Sequence, residues 1–245
     1  MRKVKRMIGT TLDSQHLRYG DCFGQKFVHV GEIRYRIVYS AASALPSEFE
    51  EGERDFSIEV MKASRRGGQG RQHDVSVRVV DGVVRADPPE LQIEAGDVVL
   101  WHGAEEAVPA FAVVGSGPEQ AVDSSSMTAN CVYSHVFSLP GEVKWHDANG
   151  SGVSGRIDVK SPAIRDKSEQ AKWFEAIRKG ILIHINGRRV DPDDVAIVTG
   201  QTVFFAVSKS AGIRIAETSV VGVREQEQPL VKKKVRKRVK RKGQK

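Results

Sequence analysis

Between positions 7 and 160, apolar residues alternate with polar ones more often than they recur at helical spacing. Val75, Val77 and Val79, and again Leu91 and Ile93, show the period of two that sends successive side chains to opposite faces of a strand. This pattern predicts a mostly β protein whose strands bury one face. The stretch from Ser168 to Gly180 departs from it, because Ala171, Phe174 and Ile177 fall on one side of a helix. Ser168 is the expected N-cap and Gly180 the C-terminal stop, and the helix is expected to dock on the β units it connects.

The strand pattern is duplicated. The segment from Asp87-Pro88 through Leu91, Ile93, Gly96 and Val99 to Trp101 returns 104 positions later as Asp191-Pro192 through Val195, Ile197, Gly200 and Val203 to Phe205. At an offset of 110, Phe27, Gly31, Glu32, Ile33 and Tyr35 match Phe137, Gly141, Glu142, Val143 and Trp145. Residues 75 to 160 thus carry one complete copy, 8 to 62 a second half, and 180 to 221 a first half. An isolated half would leave an apolar face and strand edges in water, so the two terminal halves are expected to pair with each other. The expected architecture is all-β: two sandwiches, one continuous over 75–160 and able to fold alone, and one discontinuous from 8–62 and 180–221. Residues 63–74 form the linker between them, 161–179 the connecting helix and 222–245 a tail.

The complete copy resembles a cupredoxin, the plastocyanin and azurin type of Greek-key β-sandwich. The resemblance rests on Pro88 with Leu91-x-Ile93, Gly96-Asp97-x-Val99-x-Trp101, Tyr133-x-His135-x-Phe137, Pro140-Gly141-Glu142 and Gly155-x-Ile157-x-Val159. It implies a blue-copper site of two His, one Cys and usually a Met, whose soft sulfur and imidazole donors hold copper. The positions it points to are occupied by other residues. Pro109, Ala110 or Phe111 stands where the first His would be, and Asp147, Gly150 and Val153 stand in the loop for the other ligands. In the discontinuous copy, Ala211 to Ile215 and the insertion from Tyr39 to Asp55 also lack His, Cys and Met. A copper-free protein with no cofactor is therefore expected.

Charge changes the picture further. The net +7 resides in the tail, where Lys232, Lys233, Lys234, Arg236, Lys237, Arg238, Lys240, Arg241, Lys242 and Lys245 are accompanied by no acid. Arg2, Lys3, Lys5 and Arg6 add four cations, which leaves 24 Lys and Arg against 31 Asp and Glu over residues 7–229, a net −7. Ten cations in one tail favour a polyanion, whether DNA, RNA or an anionic membrane, and with no aromatic residue after Phe205 any contacts to nucleic acid are expected at the phosphates without sequence choice. Val231, Val235 and Val239 make too thin a stripe for membrane insertion. No run of 18 apolar residues and no signal-peptide core occurs, so a cytoplasmic location is expected.

Other chemistry is sparse. Cys22 and Cys131 give no disulfide framework and no zinc spacing. Cys131 and His135 share a strand face and are the nearest thing to a rearranged metal or redox site, while His102 and His146, beside Trp101 and Trp145, are expected to point outward. Ser116 lies between Gly115 and Gly117 without the strand-to-helix elbow of a nucleophile, and no phosphate-cradling Gly-rich motif occurs. Glu48, Glu50, Glu51, Glu53 and Asp55 surround Phe49 in an acidic loop, and Ser64 to Arg71 is a Gly/Arg linker. The sequence reads as a non-enzymatic structural or adaptor protein. A metal or redox protein, and a subunit of a capsid-like or injection-machine assembly with the tail turned inward, are the alternatives.

Overall fold

The computed structural model describes residues 11–39, 50–51, 56–64 and 70–218. In chain order the first group of strands is β1 (Cys22–Lys26), β2 (Gly31–Tyr39), β3 (Glu50–Glu51), β4 (Phe56–Met61), β5 (Gln72–Val80), β6 (Val83–Asp87), β7 (Glu90–Glu94), β8 (Val98–Gly103), β9 (Phe111–Ser116) and β10 (Ala121–Asp123). The second group is β11 (Cys131–Val136), β12 (Gly141–Asp147), β13 (Ser154–Lys160), helix α1 (Lys167–Lys179), β14 (Ile181–Asn186), β15 (Arg189–Asp191), β16 (Asp194–Val198), β17 (Thr202–Lys209) and β18 (Ile215–Glu217). The fold is all-β with a single helix among the described residues.

Alternation sets the layers. In β4, Phe56, Ile58 and Val60 are buried, and Val75, Val77, Val99 and Trp101 are likewise buried in β5 and β8. Rings meet across the layers: Tyr35 of β2 lies 5.5 Å from Trp101 of β8, and Trp145 of β12 lies 5.1 Å from Phe205 of β17, both edge-on. These two contacts join equivalent positions of the repeat, so the duplication in sequence is a duplication of core packing.

The partnering of the halves differs from the expectation. The strands of 22–61 pair with those of 72–123, giving one layer β6-β5-β8-β1 and another β10-β9-β2-β4-β7. The strands of 181–217 pair with those of 131–160, giving β15-β14-β17-β11 and β16-β13-β12-β18. The units 75–160 and 8–62 with 180–221 are therefore not the paired bodies; each sandwich is built from consecutive chain, a second half followed by a first half. Loop-closure entropy favours this choice. Joining β4 to β5 closes a loop of about ten residues, whereas the terminal halves would meet across more than a hundred, a difference of about 2 kcal/mol.

One eight-stranded sheet runs through both sandwiches because β1 pairs antiparallel with β11, Phe23 lying opposite Tyr133. These two residues correspond in the repeat, so a local two-fold passes between them. A short exchange completes the symmetry. β10 lies against β9 in the first sandwich, while its counterpart, residues 11–13, lies against β18 of the second through the Asp13–Ala216 bridge. The amide of Val113 donates to Ser124 Oγ, and that of Ile215 donates to Ser14 Oγ in the same way.

Helix α1 begins two residues earlier than expected: Asp166, not Ser168, is the N-cap, its side chain accepting from the Glu169 amide. Gly180 ends the helix with φ 58°. The face of Ala171, Phe174 and Ile177 is not buried, and Phe174 is 47% exposed. The helix attaches instead through Trp173, whose indole N–H donates to the Thr199 carbonyl.

Candidate functional site

With the partners corrected, the resemblance would put a metal pole at one end of each sandwich. In the second sandwich that pole brings Ala211–Ile215 against the loop after β12, not against the insertion from Tyr39 to Asp55. Its centre is Asp147. One carboxylate oxygen accepts from the amides of Asn149 and Arg214 at 2.9 and 2.8 Å, and the other accepts from the Ser151 amide at 2.8 Å. Burial pushes this carboxyl up, but the hydrogen bonds from Ser151, Arg214 and Asn149 outweigh it and hold the group below the usual carboxylate range. Asp147 is thus occupied in fixing the loop. Beside it, Ser125, Ser126, Asn149, Ser151 and Ser210 line an open polar pocket of about 550 Å³. Val153, at another expected ligand position, is a buried core residue.

In the first sandwich, Phe111 fills the pole. It is fully buried, its backbone exchanges hydrogen bonds with Leu17, and it lies opposite Tyr39 in the β2–β9 ladder. Pro109 and Ala110 are half-buried beside it. Among the described residues, no three His, Cys, Asp or Glu side chains converge to hold a metal ion.

Cys131 and His135 do not converge. Four residues of strand separate them by about 13 Å, and each faces a different partner, one on β1 and one just before it. Gln25 lies opposite Cys131, whereas His135 Nδ1 sits 2.6 Å from Asp21 Oδ1 with both side chains 1% exposed. Burial pushes the Cys131 thiol up to about 11 and the Cys22 thiol up to about 12, which suppresses the thiolate that redox or metal chemistry needs. Burial also raises the Asp21 carboxyl, against the hydrogen bond from His135. His135 Nε2 has no hydrogen-bond partner among the described residues.

His102 and His146 are half-buried beside the fully buried Trp101 and Trp145, on the opposite strand face. Ser116 is the last residue of β9, opposite Arg34 and Ala121, and so belongs to a ladder and not to a turn. Glu50 and Glu51 form β3 against Tyr39 and Val38, while Glu48, Phe49, Glu53 and Asp55 lie outside the described residues. So do residues 65–69 of the Gly/Arg linker and all ten tail cations from Lys232 to Lys245.

Two buried polar groupings escaped the sequence reading. One is the Asp21–His135 pair. The other is Asp13, which receives a two-pronged guanidinium from Arg214 at 3.0 and 2.7 Å and lies 2.7 Å from His16 Nδ1. Burial would raise the Asp13 carboxyl, yet these partners take it down to about 2. Both depend on pairings across 114 and 201 positions of chain, which no local pattern announces. The repeat did hold a trace of the first: at offset 110, Asp21 aligns with Cys131 and Gln25 with His135, so antiparallel pairing about Phe23 and Tyr133 sets Asp21 beside His135.

No helix among the described residues is long and apolar enough to cross a membrane. Neither protein-family models, nor curated proteins, nor solved structures provide a match to this chain.

Proposed function

We propose that this protein is a non-catalytic adaptor or structural component built on copper-free, cupredoxin-like sandwiches, and that its basic tail holds nucleic acid through the phosphate backbone. The observation that carries the reading is the separation of charge along the chain: a net −7 over residues 7–229, with ten cations in 230–245 and four more in residues 2–6. The fold supports it in one respect. The Glu217 amide donates to the Leu12 carbonyl at 2.9 Å, and Asp13 bridges Ala216, so the described residues nearest in sequence to the two basic stretches lie side by side at one edge of the second sandwich. A polyanion engaging one stretch raises the effective concentration of the other. Thiols raised by burial and a carboxylate saturated by amides favour the adaptor over a redox centre.

The test is removal of residues 230–245, which changes the net charge from +7 to −3. Duplex DNA binding by fluorescence anisotropy is expected to collapse, and in the full chain log affinity is expected to fall against log salt with a slope of about −5 to −9 and little dependence on base sequence. Equal retention of DNA by truncated and full-length protein at low salt overturns the reading. Strong retention of anionic liposomes with weak DNA binding replaces nucleic acid with a membrane surface.

A further inference from the structure

The two sandwiches share a plan and part company at a few places, of which the β5–β6 hairpin is one. Its turn, Asp81-Gly82, has φ of 53° and 79° at the two central residues, the left-handed geometry of a two-residue hairpin. That turn fixes the register, setting Val80 opposite Val83 and Arg78 opposite Arg85. The equivalent hairpin of the second sandwich is two residues shorter in each arm, turns at Gly187-Arg188 and sets Asn186 opposite Arg189. Phe56 differs as well: its ladder counterpart is Gly155, since Tyr35 faces Phe56 where Trp145 faces Gly155.

These differences meet at one point. Phe56, Val80, Val83, Val84, Ala86 and Pro89 line a cleft of about 300 Å³ along the edge strand β6. This is the lower end of the size range for small-molecule sites, and its predominantly apolar wall is what such sites share. Arg78 and Arg85 complete the lining, with Asp87 beside them. Like charges directly opposite on a strand pair oppose folding, so the pair is a cost that the second sandwich avoids with an Asn. Arg78 is engaged by Asp87 at 3.4 Å and by Ser76 Oγ at 3.2 Å, both exposed. One aspartate faces two guanidinium groups, which leaves a net positive charge at the cleft.

We propose that this cleft binds a small apolar monoanion of the medium-chain carboxylate class, with the chain against Val80, Val83 and Pro89, which stay accessible at its mouth, and the carboxylate on Arg85. The site is independent of the tail and of the reading given above. Apolar burial supplies the affinity, and the Arg85 guanidinium, which has no carboxylate partner among the described residues, supplies selection for an anion over a neutral molecule of the same shape.

The test uses the full chain with sodium octanoate and, as the uncharged probe, 1-octanol, followed by 1H–15N chemical-shift titration. Octanoate is expected to perturb the amides of Val80–Ala86 and Phe56, and octanol to bind about tenfold more weakly, the worth of one charge-assisted hydrogen bond. Arg85→Ser is expected to erase the difference between the two probes, and Val83→Trp to block both by filling the cleft. Val83 and Arg85 lie on the exposed hairpin, so an unchanged amide spectrum elsewhere establishes that each variant is folded. Absence of octanoate binding, shifts located elsewhere, or equal affinity in Arg85→Ser and Val83→Trp would each overturn the proposal.

Discussion

The first sandwich and the second carry the same packing with different accessories. In both, an aromatic from the second-half layer meets one from the first-half layer: Tyr35 on Trp101, Trp145 on Phe205. In both, a Ser hydroxyl accepts from the strand at the pole, Ser124 from Val113 and Ser14 from Ile215. Aspartate followed by a cis proline opens the same turn, at Asp87-Pro88 and Asp191-Pro192. The differences lie at the rims. The first sandwich has the longer hairpin with its doubled arginine and the insertion between β2 and β4; the second has helix α1 and the polar pocket beside Asp147. Packing positions were kept where a change would open a cavity, and residues at the rims, where substitution costs little, diverged.

The sharpest way to break this comparison is to cut the chain. A fragment of residues 11–125 retains every strand partner of the first sandwich apart from β11 at its edge, so it is expected to fold cooperatively in urea. A fragment of 75–160 separates β8 from β1, β11 from β17 and β13 from β16, and is expected to remain unfolded or aggregate. Circular dichroism of the two fragments decides the matter, and the reverse outcome would restore the pairing of the terminal halves.

Next in size is the core. Trp101→Ala removes a fully buried ring that contacts Phe23, Phe27 and Tyr35, and Phe205→Ala its counterpart against Tyr133 and Trp145. Each is expected to cost about 3–5 kcal/mol by urea unfolding. If the sandwiches are equivalent in packing, the two losses agree within about 1 kcal/mol.

The joint between the sandwiches offers a finer test. Asp21–His135 and Gln25–Cys131 occupy mirror positions about the local two-fold. Asp21→Cys or His135→Gln alone strands a buried polar partner and is expected to cost about 3 kcal/mol. The double variant reproduces the Gln25–Cys131 arrangement, and its loss is expected to be smaller than the sum of the single losses. Strict additivity would show that the pair has no coupling.

The smallest effect belongs to the latch. Asp13 titrates near 2 in the folded protein against a usual 3.8. A depressed carboxyl contributes stability that is present above its unfolded value and lost as pH falls through the folded one, so about 2 kcal/mol is expected to vanish between pH 4 and 2. In Asp13→Asn, unfolding free energy measured over that window is expected to lose this component of its slope. Because the latch ties residues 11–14 to β18, the change is expected at the edge of the second sandwich, read by hydrogen exchange at Ile215.

Periodicity, glycines and charge were legible along the chain. Val75, Val77 and Ile93 alternate and are buried; Gly180 stops the helix; and the two repeat offsets mark equivalent core positions. Each of these is a local property, fixed by backbone geometry and side-chain polarity. The partnering of halves is not local. Both pairings bury the same faces and use the same alternation, so the sequence pattern is indifferent between them. Loop lengths of ten against more than a hundred residues, and the meeting of β1 with β11, decide. The cleft was out of reach for the same reason. Arg78 and Arg85 are seven positions apart and unremarkable until the turn at Asp81-Gly82 sets them face to face, and Phe56 reaches their edge only because it pairs with Tyr35 of β2, the strand that lies against β6. Hydrophobic period and charge content determined that the chain folds into strands and carries a basic tail; register and strand order, which depend on long-range contacts, determined which side chains meet.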